Sequence, residues 1–434
     1  MRVPGALPLF SQEVQRAAAN SGWLLADRLV RGGGSLVLMV LIGRWLGPRS
    51  FGLYSYALAM TALFAPIASL GLEGIVVRNL VLNPEKSGKT LTEALFLRIL
   101  GGLTALALLF PTLLLQRGER REALVIVLLL GGAYLFQAWD VLDHWFQSRV
   151  QSRYAAWVRM PVFLLGGTLK GFLAYRGGSL VLLAGVALLE ALAGALGLWL
   201  VYRLLHGPAL FSEFSLSGAG ALLKDSWPLV LSGILVLSFL KIDQVMLGTM
   251  ASMSALGIYA SAVRLVELWN LLPQVVLPSV YPTLVKRRGE DPGSYRRTLQ
   301  RLFSLFAGFS LVAVAVNTLL APILVKGLFG KDFTEAALPL SVLSLATLFH
   351  FTSAVRGQIL LIENKTIYHT LFGLIGIFVL VGMNLWLIPL FGPVGAAAAN
   401  VAACLVSGLA TSFLVPELRW IGYVQMRGFR FAWR

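Results

Sequence analysis

The sequence predicts an all-α integral membrane protein of about twelve transmembrane helices, in two six-helix lobes related by a pseudo-twofold axis along the membrane normal. Three observations carry that expectation. Of the 434 residues 57% are hydrophobic and only 13% charged, against about a quarter charged in soluble domains. Apolar runs of the ~20 residues needed to cross a bilayer recur along the whole chain and leave no stretch for a sizeable soluble domain. One joint also occurs twice. GRWLGPRSFGLYSYALAM at 43–60 returns as GTMASMSALGIYASAVRL at 248–265, 205 positions later, with Gly43 over Gly248, Gly52 over Gly257 and Tyr54 over Tyr259.

The opening MRVPGALPLFSQEVQRAAAN has no continuous apolar stretch ahead of a small-residue cleavage site, so no removable signal peptide is expected. Residues 8–20 read as a short amphipathic lead-in. Spans are expected near 20–43, 51–77, 91–115, 122–147, 155–175 and 179–204, giving a first lobe over 1–204. The longest loop, 205–221, reads as a cytoplasmic linker. The second lobe, 222–434, holds spans near 222–247, 255–284, 298–320, 336–362, 366–390 and 393–416, then a basic cytoplasmic tail. An even number of spans per half makes both halves enter from the same side, as parallel repeats do. A later polar pattern also recurs, FQSRVQSRYAAWVR at 146–159 and GQILLIENKTIYHT at 357–370. Pro66, Pro161, Pro228, Pro273, Pro278, Pro282 and the triplet Gly32, Gly33 and Gly34 read as helix breaks, whose freed backbone groups need a cavity or a neighbouring helix.

The net charge of +16 sorts by side. With a cytoplasmic N-terminus, twenty Lys and Arg fall on that face and eight on the other, the positive-inside bias with both termini inside. KRRGEDPGSYRR and MRGFRFAWR are then topology signals and anionic-lipid contacts, and nucleic acid is not expected as a partner. There is no phosphate loop, HExxH, cysteine pair or nucleophile elbow, and the four histidines lack ligand spacing. Neither an enzyme nor a metal or cofactor is expected. Cys404, the one cysteine, reads as a small packing residue.

Ionisable side chains lie well inside the apolar runs, where each costs on the order of 3 kcal/mol if it faces lipid. The first span carries Asp27, Arg28 and Arg31, the second Glu73, the third Glu93 and Arg98, and the fourth Asp140, Asp143 and His144. Lys170 and Glu190 follow in the fifth and sixth, Lys241 and Asp243 in the seventh, and Arg264 and Glu267 in the eighth. Asp27 with Arg31, and Arg264 with Glu267, have intrahelical pairing distance. The first and seventh spans correspond under the repeat, as do the second and eighth, so these charges point towards an interface between the halves. Arg28, Arg31, Lys241 and Arg264 are candidates for holding an anion, for which the planar guanidinium is suited. Asp27, Asp243 and Glu267, with Glu73 and Asp140 behind them, are candidates for carrying a proton or other coupling ion. Structural pairing is the alternative for each. Glu93, Arg98, Asp143, Arg149 and Lys170, nearer span ends, are expected to snorkel. Trp23, Trp45, Trp139, Trp145, Trp157, Trp227, Trp269, Trp386 and Trp420 read as an interfacial belt, with Trp269 also a candidate surface for stacking a sugar.

RWLGPRSFGLYSYALAM, LGLEGIVVRNL at 70–80, KIDQVMLGTMASMSALGIYASAVRL at 241–265 and QILLIENKTIYHTLFGLIGIFVLVGMNLWLIPLFGPVGAAAAN at 358–400 together resemble the Wzx-type polysaccharide-biosynthesis flippases. These belong with the multidrug and toxin extrusion (MATE) transporters and lipid II flippases in the multidrug/oligosaccharidyl-lipid/polysaccharide exporter superfamily. The resemblance covers nearly the whole chain. It implies a MATE-like, multi-pass inner-membrane protein that carries an undecaprenyl-pyrophosphate-linked oligosaccharide, an O-antigen or other polysaccharide repeat unit, from the cytoplasmic to the outer leaflet by alternating access. It further implies a cationic central cavity, coupling to H+ or Na+, and a polysaccharide polymerase and chain-length proteins as partners. Arg28 or Arg31 and Arg264 match important arginines of the lipid II flippases by span and depth, and Asp243 matches an aspartate of the seventh span. A MATE-type drug or cation antiporter, a lipid II flippase and a membrane oligosaccharide polymerase are the alternatives.

Overall fold

The computed structural model describes residues 7–114, 120–211 and 213–430. Among the described residues every regular element is a helix. Nine helical runs among the described residues are long and apolar enough to cross a membrane. This differs from the twelve expected for two physical reasons. First, α1 (Leu7–Ser69) and α15 (Thr366–Leu405) each merge two expected spans. A straight helix of the 63 residues of α1 would run about 95 Å, three times the hydrocarbon core of about 30 Å. The chain bends instead at Gly47 (φ 75°, ψ 173°), and α15 bends at Gly392 (φ 54°, ψ −125°). Both are conformations that glycine alone adopts without strain. Each glycine precedes a proline, Pro48 or Pro393, which excludes helical backbone at the residue before it and can begin a new helix. Second, α6 (Arg153–Tyr175), at the expected fifth span, is a 23-residue helix outside the nine; Arg159, Lys170 and three glycines dilute its apolar character.

The remaining helices are α2 (Leu72–Leu82), α3 (Ser87–Leu114), α4 (Arg120–Gln137), α5 (Val141–Ser148), α7 (Leu180–Leu204) and α8 (Leu216–Met250). They continue with α9 (Met253–Trp269), α10 (Leu271–Glu290), α11 (Pro292–Leu319), α12 (Ala321–Leu328), α13 (Ala337–Ser344) and α14 (Ala346–Ile362). After α15 come a π-helical turn at Val406–Ala410, α16 (Thr411–Leu414) and α17 (Arg419–Gly428). The two copies of the later polar pattern both fall at helix joints, where Val150 (φ 58°) and Asn364 (φ 54°) take left-handed backbone.

The chain forms two compact units. One comprises the residues up to Trp45 together with Met60–Ile234, the other Leu46–Ala59 together with the residues from Leu235 onward. The core of the first is built on Leu72, Val76, Leu91, Leu95, Trp145, Phe146 and Tyr202. The second has a larger cluster around Leu299, Phe303, Phe306, Phe351, Ile359 and Ile421, and a smaller one at Leu380, Ala399 and Ala403.

Residues Leu46–Ala59 of the first joint and the whole of the second lie in the second unit. A Cβ on Gly52 would strike the Met253 carbonyl and the Gly257 nitrogen, and a Cβ on Gly257 would strike the Pro48 carbonyl and the Gly52 nitrogen. The contacts are reciprocal, because Met253 stands to Pro48 as Gly257 stands to Gly52, 205 positions on. Two helices approach backbone to backbone here, which only small residues permit. At the second joint the chain turns without glycine, and the Ser252 side chain caps α9 by accepting from the Ala255 amide at 3.1 Å.

Several sequence expectations need correction. Gly32, Gly33 and Gly34 do not interrupt α1, which runs through them; Gly34 allows a close approach of the Phe163 ring. Helices likewise continue through Pro66, Pro161, Pro228, Pro278 and Pro282, and the expected eighth span breaks at Asn270 instead. Trp145 is buried against Phe146 and Tyr202 rather than set at an interface. The lead-in at 8–20 is helical, but its side chains up to Ala19, together with Arg2, Arg117, Arg120, Arg121 and Arg434 of the charge pattern, lie outside the described ones.

Candidate functional site

The first unit contains a cavity of about 990 Å³, at the upper end of the range of about 300–1,000 Å³ typical of ligand pockets. Its charged wall is made at three places. On α1, Arg31 donates to Asp27 through both arms of its fork, at 2.9 and 2.6 Å. Between α4 and α6, a 3-10 turn over Ala138–Asp140 leads into α5, so Asp140 and Asp143 lie one turn apart on one face. The fork of Arg159 spans them, at 2.8 Å to Asp140 and 2.7 Å to Asp143. Gln147 adds a second donor to Asp143 at 3.0 Å. Between α6 and α7, Lys170 pairs with Glu190 at 2.8 Å. A Cβ at Gly166 would occupy the place of the Glu190 carboxylate, so glycine there lets the two helices share this pair.

Arg98 of α3 completes the wall, 3.4 Å from His144 Nε2 and 3.9 Å from Asp140. Arginine has no acceptor, so His144 Nε2 accepts and its proton sits on Nδ1. Glu73, in the first turn of α2, stands exposed on the same wall. Two expectations change here. Glu93, Arg98, Asp143 and Lys170 are buried inside the protein rather than snorkelling, whereas Arg149 is exposed with its guanidinium over the Trp145 ring. The cavity is also not cationic, since Arg31, Arg98 and Arg159 meet Glu73, Asp140, Asp143 and Glu190 in its lining. Arg28 is exposed and outside that lining.

The second unit holds a smaller pocket of about 70 Å³, in which Asp243, Glu267 and Asn400 stand among apolar side chains, with room for one ion or about two waters. Asp243, fully within α8, accepts from the Tyr259 hydroxyl at 2.5 Å, from its neighbour's Gln244 amide at 2.7 Å and from Asn400 at 3.3 Å. Asn400 in turn lies 3.6 Å from the buried Cys404 thiol. Glu267 borders the same pocket and binds Arg264 at 2.8 Å and Lys241 at 3.2 Å. Both cations are therefore occupied by one carboxylate. The Trp269 indole donates to Asn317 at 3.2 Å and packs on the core, so its ring is engaged by the protein rather than open to a sugar.

Asp27, Arg31, Glu73 and Asp140 thus gather in one unit, and Lys241, Asp243, Arg264, Glu267 and Trp269 in the other. Arg159 was missed as a site residue. Its signal was faint, an arginine early in a span whose partners Asp140 and Asp143 belong to the preceding one. Arg356 was missed too. It is buried with no acidic partner among the described residues, donating to Ser407, Thr411 and Ser412 around the π-helical turn while lying over the Phe372 ring.

A structure of an inward-facing multidrug resistance MATE family transporter of the MOP superfamily superposes with a TM-score of 0.70 at 15% identity, covering 95% of this chain and 99% of that one. The lipid II flippase MurJ in an inward closed conformation gives a TM-score of 0.73 at 14% identity, covering 94% and 91%. At such identities the likeness is one of fold. The probable flippase AglR of Haloferax volcanii is 28% identical over 185 residues, 42% of this chain and 39% of that protein, so the match spans about two fifths of the relative's length. Residues 17–288, more than half of the chain, match the family described as polysaccharide biosynthesis protein, and the chain is a membrane protein belonging to that family.

Proposed function

We propose that the chain is a flippase that moves an undecaprenyl-pyrophosphate-linked oligosaccharide from the cytoplasmic to the outer leaflet by alternating access, without enzymatic chemistry. The observation that carries this reading is the polar cavity of about 990 Å³ inside a helical unit whose outer surface is apolar. A phosphate- and sugar-bearing headgroup cannot cross hydrocarbon unaided, and a wet, polar-walled cavity lowers that barrier while the prenyl tail stays in lipid. Membership of a polysaccharide-biosynthesis family and a relative named a probable flippase support the same reading. Residence in the inner membrane with both termini cytoplasmic fits the distribution of Lys and Arg. Asp243 and Glu267, around a pocket of ion size, are the proposed coupling groups for H+ or Na+.

The test is reconstitution in liposomes with a fluorescent lipid-linked oligosaccharide, its sidedness read by a membrane-impermeant quencher, with and without an H+ or Na+ gradient. Protein-dependent flipping is expected; sidedness that does not change with protein present overturns the reading. A second reading, a drug or cation extruder of the same fold, is favoured by the carboxylates in the cavity lining. It predicts altered drug sensitivity on gene deletion, with no build-up of lipid-linked oligosaccharide on the inner leaflet.

A further inference from the structure

The wall of the first-unit cavity has more carboxylates than cations, and its cations are already engaged. Arg31 is held by Asp27, Arg159 by Asp140 and Asp143, and Arg98 by His144 and Asp140. Lys170, behind the wall, is held by Glu190. The carboxylates are not matched in the same way. Glu73 is exposed and makes no ion pair among the described residues, whereas Asp140, Asp143 and Glu190 each meet a cation.

An ionised sugar carboxylate would bring a like charge to Glu73 and to the surplus of carboxylates in the lining, whereas a neutral hydroxyl brings none. Selection by such repulsion is a common route to specificity.

We propose that this cavity receives the glycan part of the headgroup and selects sugars without acidic groups, disfavouring uronic acids and other anionic sugars. The proposal rests on the flippase reading for its ligand, and Glu73 is the residue through which it is best tested. One unpaired charge several ångströms away, at the effective dielectric of a protein surface and partly screened by salt, is worth about a tenfold difference in affinity.

The experiment compares two prenyl-pyrophosphate-linked disaccharides of equal length, one N-acetylhexosamine–hexose and the other N-acetylhexosamine–hexuronic acid. Both are bound to the full chain in nanodiscs at low ionic strength and at about 0.3 M salt, where the Debye length falls to roughly 5 Å. The neutral compound is expected to bind about tenfold more tightly at low salt, the gap narrowing in salt and in Glu73→Gln, an exposed position whose replacement leaves every ion pair in place. Equal affinities, tighter binding of the acid, no binding of either compound, or a gap unchanged in Glu73→Gln would each overturn the proposal. Liposome flipping is measured separately. Selective binding without flipping would remove the flippase reading and leave the selectivity standing, whereas flipping of both compounds with equal affinities would do the reverse.

Discussion

Gly52 and Gly257 hold corresponding places in two copies of one joint, and their backbones touch. Asp243 and Leu38 also correspond, 205 positions apart, yet one is a buried carboxylate with three donors and the other an ordinary apolar side chain. Lys241, Arg264 and Glu267 likewise fall over Leu36, Ala59 and Ala62. The two joints have kept in common what the backbone needs and differ in what chemistry needs. Glycine is retained where a methyl group would strike main chain, because no side-chain adjustment elsewhere relieves that clash. At these four positions charge stands in the second copy only, so the small pocket of the second unit and the large cavity of the first are built from different elements by different means.

The largest effect should come from breaking what the copies share. Gly52→Val and Gly257→Val each push a branched side chain into backbone, and overpacking that cannot relax costs about 3 kcal/mol or more. Loss of most of the monodisperse folded protein is expected in fluorescence-detected size-exclusion chromatography. Gly74→Ala and Gly220→Ala, where a Cβ meets nothing within 4 Å, are the contrast and should be neutral or stabilising by about 0.5–1 kcal/mol. If the two pairs of substitutions behaved alike, the close approach of the joints would not be a constraint.

Next in size is the arginine that joins two carboxylates in the first unit. Arg159→Gln leaves Asp143 buried without a cation, and removing one partner of a buried pair costs about 3 kcal/mol, somewhat less here because Asp140 keeps access to the cavity. Adding Asp143→Asn should recover part of the lost thermal stability, so the double variant is more stable than Arg159→Gln alone. Losses that simply add would mean the two side chains act independently. In the second unit Tyr259→Phe removes one hydrogen bond to a carboxylate that keeps two others, a loss of about 2 kcal/mol. A gradient-driven flipping assay on this variant separates a coupling role for Asp243 from a merely structural one. A smaller flux with its ion dependence unaltered would leave Asp243 structural.

How far these sites could be read beforehand follows from the range over which each signal acts. Gly47-Pro48 and the repeated glycines are local features, and they mark a turn and a close backbone approach that the helices display. The pairs Asp27–Arg31 and Arg264–Glu267 are set by helical period alone, so spacing was enough to suggest them. Arg159 reaches Asp140 and Asp143 across the joint at 149–152, and Lys170 reaches Glu190 across two helices; no spacing rule encodes either. Depth along a single span puts Arg98 and Asp143 near the membrane surface, whereas their burial depends on which helices surround α3 and α5. Gly32, Gly33 and Gly34 looked like a break by composition, but three successive glycines within a long apolar helix cost less than leaving backbone groups unpaired in lipid.

The smallest effect concerns a charge pair at the edge of the second unit. Lys365 and Glu417 meet at 2.8 Å, at the ends of two connecting segments. The hydrogen bond from the Lys365 ammonium, and then its charge, hold the Glu417 carboxyl below the ordinary carboxylate range. A depressed carboxyl favours the folded state above its unfolded pKa, and that contribution disappears as the pH falls through the lowered folded value. Exposure to solvent and salt keeps such pairs weak. Lys365→Ala is therefore expected to leave thermal stability at pH 7 within measurement error and to remove a slight weakening that the unaltered chain shows on acidification below about pH 4. A loss approaching that of Arg159→Gln would mean that peripheral and buried charges contribute alike, and the contrast between the two would fail at the point where burial should matter most.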